Sequence, residues 1–392
     1  MKRIRDPIHG FIIVHDDELE VLQDPLVQRL RRIKQLGFDH YVYPGAVHDR
    51  FSHSLGVLSV ASRMVESLES KGIKGLPKKH IRLAALTHDV GHTPMSHTLE
   101  MFLIRAYNVR HEAYTEAVLE GRGREFIDIL REEGLSHNII SSELDADRMD
   151  YLLRDSYYCG VKYGQFDIER VIQGLVAIGE DLGVLNKARY ALQSFVLARF
   201  QMYLQVYMHK TSAAFSVAAA RLMYEVNEEY PYPTVEEVRD DPDKLVNYDD
   251  VRFLSLIKEI SKRDDMLGMI SKQLLHRIRF KRLYEKEATL THKYTDKPRR
   301  YHEIIKNLEE IEAAGGLVHA PEFVPLEPPY KDGKRKILVM TEEGPKDIRE
   351  EDPVLDALSS HYKLIIRVYA IQGYEEEVSK VLSSLGLQTS RK

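Results

Sequence analysis

The densest cluster of chemically capable side chains lies in "LAALTHDVGHTPMSH", residues 83–97. His88 and Asp89 are adjacent, His92 follows His88 by four residues, and His97 lies beyond Pro94. An imidazole beside a carboxylate is a mixed nitrogen and oxygen donor set for a divalent metal. Each donor must be deprotonated, and a metal compensates the charge of a buried aspartate. A lone histidine in an apolar helix is ordinarily a satisfied core side chain. Three histidines and an aspartate within ten residues, after an apolar run, go beyond that explanation. "HDRFSHSLGV" adds His53 at the start of a helix, and "ELDADRMDYLLRDSYYCG" adds a charged helix. On the latter, Asp147, Tyr151, Arg154 and Asp155 share a broad face, with Asp150 off it. Such a face alone reads as solvated. Next to the histidine motif, Asp147 becomes the remaining carboxylate ligand, and the expected metal set is His53, His88, Asp89 and Asp147.

These groups need a scaffold of helices. Residues 1–15 read as a short β-like start, with a turn at "DPIHG". Residues 16–37 have helical spacing, with Pro25 near a helix start and Gly37 as a stop. Helix is expected over Phe51–Glu69, over 78–104 with a break near Pro94, and over 110–132, 138–159 and 188–228. "EEYPYPTVEEVRDDPDK" reads as a connection or domain edge. Residues 250–312 read as charged helix. "KRKILVMT" and "HYKLIIRVYA" read as strands, and "GYEEEVSKVLSSL" as an amphipathic helix. The expected fold is mainly α. A helical core domain spans residues 1–228, and a helical then α+β region spans 229–392.

Composition narrows the class. The 392 residues carry a net charge of -5, which speaks against a general nucleic-acid binder. No apolar run of transmembrane length occurs, the basic N-terminus lacks the apolar stretch of a secretory signal, and the single cysteine, Cys159, excludes an internal disulfide. The expected compartment is cytoplasmic. Cys159 reads as a small buried residue. Lys34 with Arg29, Arg31 and Arg32 reads as either a solvated helix face or a nucleotide or interface site.

The strings "DPIHG", "QRLRRIKQLG", "YPGAVHDRFSHSLGV", "THDVGHTPMSH", "RHE", "DADRMDYLLRD" and "YMHK" run from residue 6 to residue 210. In that order they resemble the HD-domain phosphohydrolase superfamily. They are closest to its deoxynucleoside triphosphate triphosphohydrolases, which include the catalytic domain of the sterile-alpha-motif HD protein of animals. The resemblance implies a helical HD core and hydrolysis of a deoxynucleoside triphosphate to deoxynucleoside and inorganic triphosphate. Its metal ligands fall on His53, His88, Asp89 and Asp147. Arg50 would contact the reacting phosphate. His92, His97 and His111 would flank it, with His97 as general acid or water-side base. Arg148 and Arg199 would meet the phosphates, while Gln35, Leu36, Tyr151 and Asp155 would hold the sugar. Tyr207 would pack against the 2′ carbon and disfavour ribose. The resemblance also implies a homo-oligomer, dimer or tetramer. An activating nucleotide is left open: Gln28, Arg29 and Arg31 are kept, but Phe11 follows "DPIHG" and the guanine-reading slot falls on Gln23 or Asp24.

The chemistry asks for these residue types without the name. A triphosphate needs Arg, Lys, His and metal around it. A nucleoside alkoxide leaves poorly, so a general acid such as a histidine is required. The ligand set suits Fe, Mn, Ni or Zn, with Mg assisting on the phosphates. Two other readings stand beside the main one. One is an HD phosphohydrolase acting on nucleoside monophosphates or another phosphoester. The other is a non-catalytic regulator that binds nucleotide or nucleic acid.

Overall fold

The computed structural model describes residues 1–291, 299–320, 322–323, 337–359 and 361–387. The chain opens with β1 (Lys2–Asp6) and β2 (Gly10–Val14), an antiparallel hairpin pairing Lys2 with Val14 and Asp6 with Gly10. The Asp6 carboxylate accepts from the Ile8 and His9 amides at 2.8 Å each, the local bond that makes "DPIHG" a turn. Helices α1 (Leu19–Gln23) and α2 (Pro25–Arg29) follow, then α3 (Arg50–Ser70), α4 (Lys78–Thr87), α5 (His97–Tyr107) and α6 (His111–Gly121). Short α7 (Asp128–Arg131) and α8 (Leu135–Ile140) lead to α9 (Ala146–Cys159) and α10 (Ile168–Gly174). After β3 (Leu175–Ile178) and β4 (Asp181–Leu185) come α11 (Arg189–Met202), α12 (Lys210–Glu225), α13 (Val235–Asp240), α14 (Asp250–Ile260) and α15 (Met266–His276). The remainder is β5 (Lys281–Thr291), α16 (Arg299–Lys306), α17 (Leu308–Ala313), β6 (Gly316–His319), β7 (Glu322–Phe323), β8 (Leu338–Thr341), β9 (Gly344–Asp347), α18 (Ile348–Glu351), α19 (Pro353–Ser359), β10 (His361–Ala370) and α20 (Glu375–Ser384).

The fold is mainly helical, with a smaller strand-bearing C-terminal region. α3 is the central post. Its apolar residues recur on all sides, and Val57, Leu58, Val60, Ala61, Met64 and Val65 are all buried. It packs against α4 and α9, the two other helices that bring metal-type ligands. One apolar core runs from Ile12 to Ile371. A second, smaller one joins β5, β10, α16, α17 and α20 through residues such as Leu283, Ile304, Ile311, Val368 and Val378. There β10 pairs antiparallel with β5, β6 and β7, while a separate sheet runs β3-β4-β8-β9 with β4 and β8 parallel.

The hairpin, α3, the break at Pro94, β8, β10 and α20 fall where the spacing put them; Lys334, Arg335 and Lys336 of "KRKILVMT" lie outside the described residues. Five stretches differ. The expected helix 110–132 is broken at 122–124, after α6 and before the 3-10 turn Glu125–Ile127 that leads into α7. The run 16–37 is split into short helices, and Gly37, at φ 49°, opens the 3-10 turn Gly37–Tyr41 instead of ending a helix. The expected helix 138–159 is interrupted at 141–145, and the run 188–228 is interrupted by a π turn at Tyr203–Tyr207. The charged stretch 250–312 contains strand β5, and its residues 292–298 lie outside the described ones. The Pro-rich segment is packed: Tyr232 is buried, and the Tyr114 hydroxyl donates to the Pro233 carbonyl at 2.8 Å.

Candidate metal centre and active-site cavity

Aspartate caps set the register of both helices that begin at the centre. Asp49 caps α3 by accepting from the Ser52 amide at 2.8 Å, which places His53 on the first turn. Asp145 caps α9 by accepting from the Arg148 amide at 2.7 Å, which places Asp147 beside it. α4 ends at His88. The ligand-type atoms of His53, His88 and Asp89 lie within 4.8 Å of one another. Asp147 Oδ1 stands 3.0 Å from His53 Nε2 and 3.8 Å from His88 Nε2. Both Nε2 atoms are buried and find no hydrogen-bond partner of good geometry among the described residues. Buried imidazole nitrogens left unpaired and turned toward two carboxylates fit a divalent cation.

The opposite edge of each ring is fixed. His88 Nδ1 meets the Ala85 carbonyl at 2.8 Å, and His53 Nδ1 meets Asp150 Oδ2 at 2.7 Å. Asp150 in turn bonds His9 Nε2 at 2.6 Å and the Arg154 guanidinium at 2.8 and 2.9 Å, and Arg154 reaches Asp6 at 2.9 Å. Such a carboxylate-histidine pair orients the ligand and raises its basicity. Gly56 makes room for it, because a Cβ there would stand 1.9 Å from Asp150 Oδ1. Burial pushes His53 down, but Asp147 and Asp150 outweigh it and carry the imidazole up to about 10. The two carboxylates that favour positive charge on this ring would equally favour a cation beside it, which must displace the proton because a ligating imidazole is neutral. Burial raises Asp89, yet Arg50, at 2.7 Å, holds its carboxyl well below the usual range.

Beside this centre lies a second imidazole group. His92 stacks on His111 with centroids 3.7 Å apart, and His97 sits edge-on to both. Glu100 joins them, taking His97 Nδ1 at 2.9 Å and His111 Nδ1 at 2.6 Å. Burial, then Arg50 and His111, push His92 well below the imidazole range, so its ring is neutral. Burial opposes ionisation of Glu100, but His97 and His111 hold it well below the carboxylate range. The turn before α5 carries positive φ at Met95 (56°) and Ser96 (54°). It is held by Asp250 accepting from the Met95 amide at 2.6 Å and by Arg50 donating to Ser96 Oγ at 2.8 Å.

A cavity of about 640 Å³ is lined by His88, Asp89, Asp147, His92, His97 and His111, though not by His53 or Glu100, and continues to Gln35, Leu36, Tyr151, Asp155 and Tyr207. Asp155 has both oxygens engaged, by His48 Nε2 and by the Tyr207 hydroxyl, each at 2.7 Å. Gln35 Oε1 is buried without a partner among the described residues. The expected residues Arg50, His92, His97, His111 and Arg148 also line the cavity. Arg199 does not. It lies behind the wall and donates to Glu143 at 2.7 Å, while Arg148 is held by Asp145 and the Ser142 carbonyl. Arg154 leaves the expected face of α9 and turns to Asp150 instead, because two enclosed carboxylates there need a cation.

Three contributors escape a reading of spacing alone. Asp150 and Glu100 act through histidines, and Arg29 is fully buried as a strut that donates to the Tyr248, Val90 and His92 carbonyls at 2.8, 3.2 and 2.6 Å. That answers the open question about the arginine cluster for Arg29. Arg31 lies over the Phe51 ring at 3.5 Å, and Arg32 pairs with Asp249. The available signals were the spacings Asp150–Arg154 and His97–Glu100, which place each pair on one helical face. Cys159 is half-buried, and burial pushes its thiol up, away from nucleophilic use.

Among the described residues no helix is long and apolar enough to cross a membrane. Residues 50–155 match the family model of the HD domain, and residues 166–392 match that of the HD associated region. An uncharacterized protein of Methanocaldococcus jannaschii is 31% identical over 419 residues, covering 100% of this chain and 86% of that protein. The deoxynucleoside triphosphate triphosphohydrolase SAMHD1 homolog of Dictyostelium discoideum is 26% identical over 318 residues, 72% of this chain and 59% of that protein. The crystal structure of a phosphohydrolase from Bacteroides thetaiotaomicron superposes with a TM-score of 0.76 at 28% identity, covering 94% of this chain and 99% of that one.

Proposed function

The chain belongs to the HD-domain phosphohydrolase superfamily, and from that premise we propose that it hydrolyses deoxynucleoside triphosphates to deoxynucleoside and inorganic triphosphate. The carrying observation is that one cavity of about 640 Å³, a size suited to a nucleotide, joins a ligand-type His/Asp cluster to a polar end built on Asp155 and Tyr207. The likeness to the Dictyostelium protein supports the same substrate class.

In this reading His53, His88, Asp89 and Asp147 hold Fe, Mn, Ni or Zn. When bound by these residues, the metal would supply Lewis-acid stabilisation of the attacked phosphoryl group and activation of water. Mg assists on the outer phosphates. Arg50, fixed between Asp89 and Ser96, sets a planar guanidinium against the α-phosphate. Neutral His92 packs against His111 and donates or accepts at the same phosphate. His97, partnered through Nδ1 by Glu100, presents Nε2 either as the acid that protonates the departing 5′-oxygen or as the water-side base. Gln35 and Asp155 accept from the sugar hydroxyl, Leu36 and Tyr151 pack the sugar, and Tyr207 crowds a 2′-hydroxyl. Arg148 and Arg199 serve the outer phosphates. The working form is a cytoplasmic dimer or tetramer, with residues 229–392 supplying contacts or completing the cleft around the catalytic residues 1–228.

A second reading draws on one observation. Arg148 and Arg199 are already paired with Asp145 and Glu143, so the outer wall is neutralised from within, and a ligand with fewer phosphates would suit it. Products separate the two. The purified chain, loaded in turn with Mn, Fe, Ni and Zn and supplied with Mg, is given the four deoxynucleotides, their ribonucleotide counterparts and deoxynucleoside monophosphates. Release of inorganic triphosphate from a deoxynucleotide is the expected result. Orthophosphate from monophosphates alone supports the second reading, and no triphosphate from any of the four rejects the first.

A further inference from the structure

Between α8 and α9 runs the irregular segment 141–145, and Glu143 at its centre is buried with only 5% of its side chain exposed. Its carboxylate stands between two guanidiniums. Arg199 Nη1 donates to Oε2 at 2.7 Å, and Arg148 Nη2 donates to Oε1 at 3.4 Å. One oxygen on each arginine is also how a phosphate would bridge them. The pair has donor capacity that Glu143 leaves unused, because Nε of Arg148 and Nε of Arg199 are both buried without a hydrogen-bond partner among the described residues. Asp145 takes Arg148 from the other side, so two cations face two carboxylates with no net charge. Arg148, Tyr151, Tyr203 and Ser141 line the cavity; Glu143 and Arg199 do not, and Arg199 lies close to Arg148, Tyr151 and Tyr203.

We propose that Glu143 is a specificity-determining residue: a resident carboxylate seated where a terminal phosphate would bridge Arg148 and Arg199. A polyphosphate chain then binds by exchange. Its end group offers more oxygens and more charge than a carboxylate, and it engages the idle Nε donors as the Glu143 side chain turns away, with the Asp145 cap left in place. A single phosphate anchored near the metal ligands does not reach the pair and leaves Glu143 in place. The cost of expelling a paired carboxylate makes the cavity count phosphates. This rests on the reading of the cavity as a phosphate site, and it applies whichever phosphoester is cleaved.

The test uses inorganic triphosphate and orthophosphate as probes, titrated calorimetrically into the full chain and into Glu143→Gln. Loss of the charge should tighten triphosphate binding by about tenfold or more, roughly 1.4 kcal/mol, and leave orthophosphate within about twofold. Triphosphate binding that is unchanged or weaker in Glu143→Gln overturns the proposal. So does an equal gain for both anions, which would mean a general charge effect. If Glu143→Gln does not fold, Glu143→Asp takes its place. The shortened side chain keeps the charge but withdraws from the arginines, and triphosphate should tighten by a smaller factor in the same direction; no tightening again overturns it. Neither probe is a nucleotide. A gain seen with a chain that hydrolyses no deoxynucleotide therefore rejects the substrate reading and keeps Glu143, and the reverse outcome does the opposite.

Discussion

The two ends of the cavity treat their polar groups in opposite ways. At the metal end each imidazole is locked on one nitrogen, His53 by Asp150 and His88 by the Ala85 carbonyl, while its Nε2 is turned inward without a hydrogen bond. At the other end each Asp155 oxygen is already engaged, one by His48 and one by Tyr207, and Arg199 is paired with Glu143. One end is built to receive a cation by addition. The other is closed on itself and receives a ligand by exchange. Preorganisation at the first saves reorganisation where bonds change, and internal pairing at the second keeps buried charges compensated between turnovers.

The sharpest way to break this contrast is to remove a ligand outright. His88→Ala should lose metal, measured by elemental analysis of the purified protein, and should lose hydrolysis by at least about a thousandfold, on the order expected when metal chemistry is withdrawn. A variant that keeps both metal and rate sinks the site assignment. Removing the partner instead of the ligand should cost less. Asp150→Asn keeps the shape but loses the charge behind His53, and metal affinity should fall about 10–100-fold in a direct titration. An unchanged affinity would mean that the Asp150 network is scaffold only. Gly56→Ala probes the same spot sterically. Its Cβ would meet Asp150 Oδ1 at 1.9 Å, so stability should fall by about 1–3 kcal/mol in a denaturant melt. A melt like that of the wild type would show that α3 and α9 can part without cost.

How far the sequence could be read follows from how local each signal is. His88 and Asp89 are neighbours, and the Asp49 and Asp145 caps that place His53 and Asp147 act within three residues. Those contributions are legible. Asp150 means little until His53, 97 positions away, is beside it, and Arg29 finds the His92 carbonyl 63 positions on. Only folding brings such partners together. The misread strand β5 has a physical reason as well. Its Glu, Lys and Arg residues favour helix in isolation, but β10 answers them across the sheet: Arg367 donates to Glu285 at 2.8 Å, opposite it in register, and Lys363 pairs with Glu287.

The mildest intervention falls on the closed end. Tyr207→Phe deletes one hydroxyl and leaves the ring, so Asp155 keeps His48 but loses its second donor. A carboxylate oxygen left short of one partner in a buried site costs about 1–2 kcal/mol. If the ring closes the site to weak ligands, the freed oxygen becomes available to the sugar, and part of that cost returns on binding. The expected outcome is therefore a loss of thermal stability in the free protein that saturating deoxynucleotide largely restores, with KM changed by less than about threefold. A Tyr207→Phe variant whose deficit persists in full with nucleotide bound would mean that Asp155 never meets the ligand. The exchange description of this end would then fail, while the metal end stood untouched.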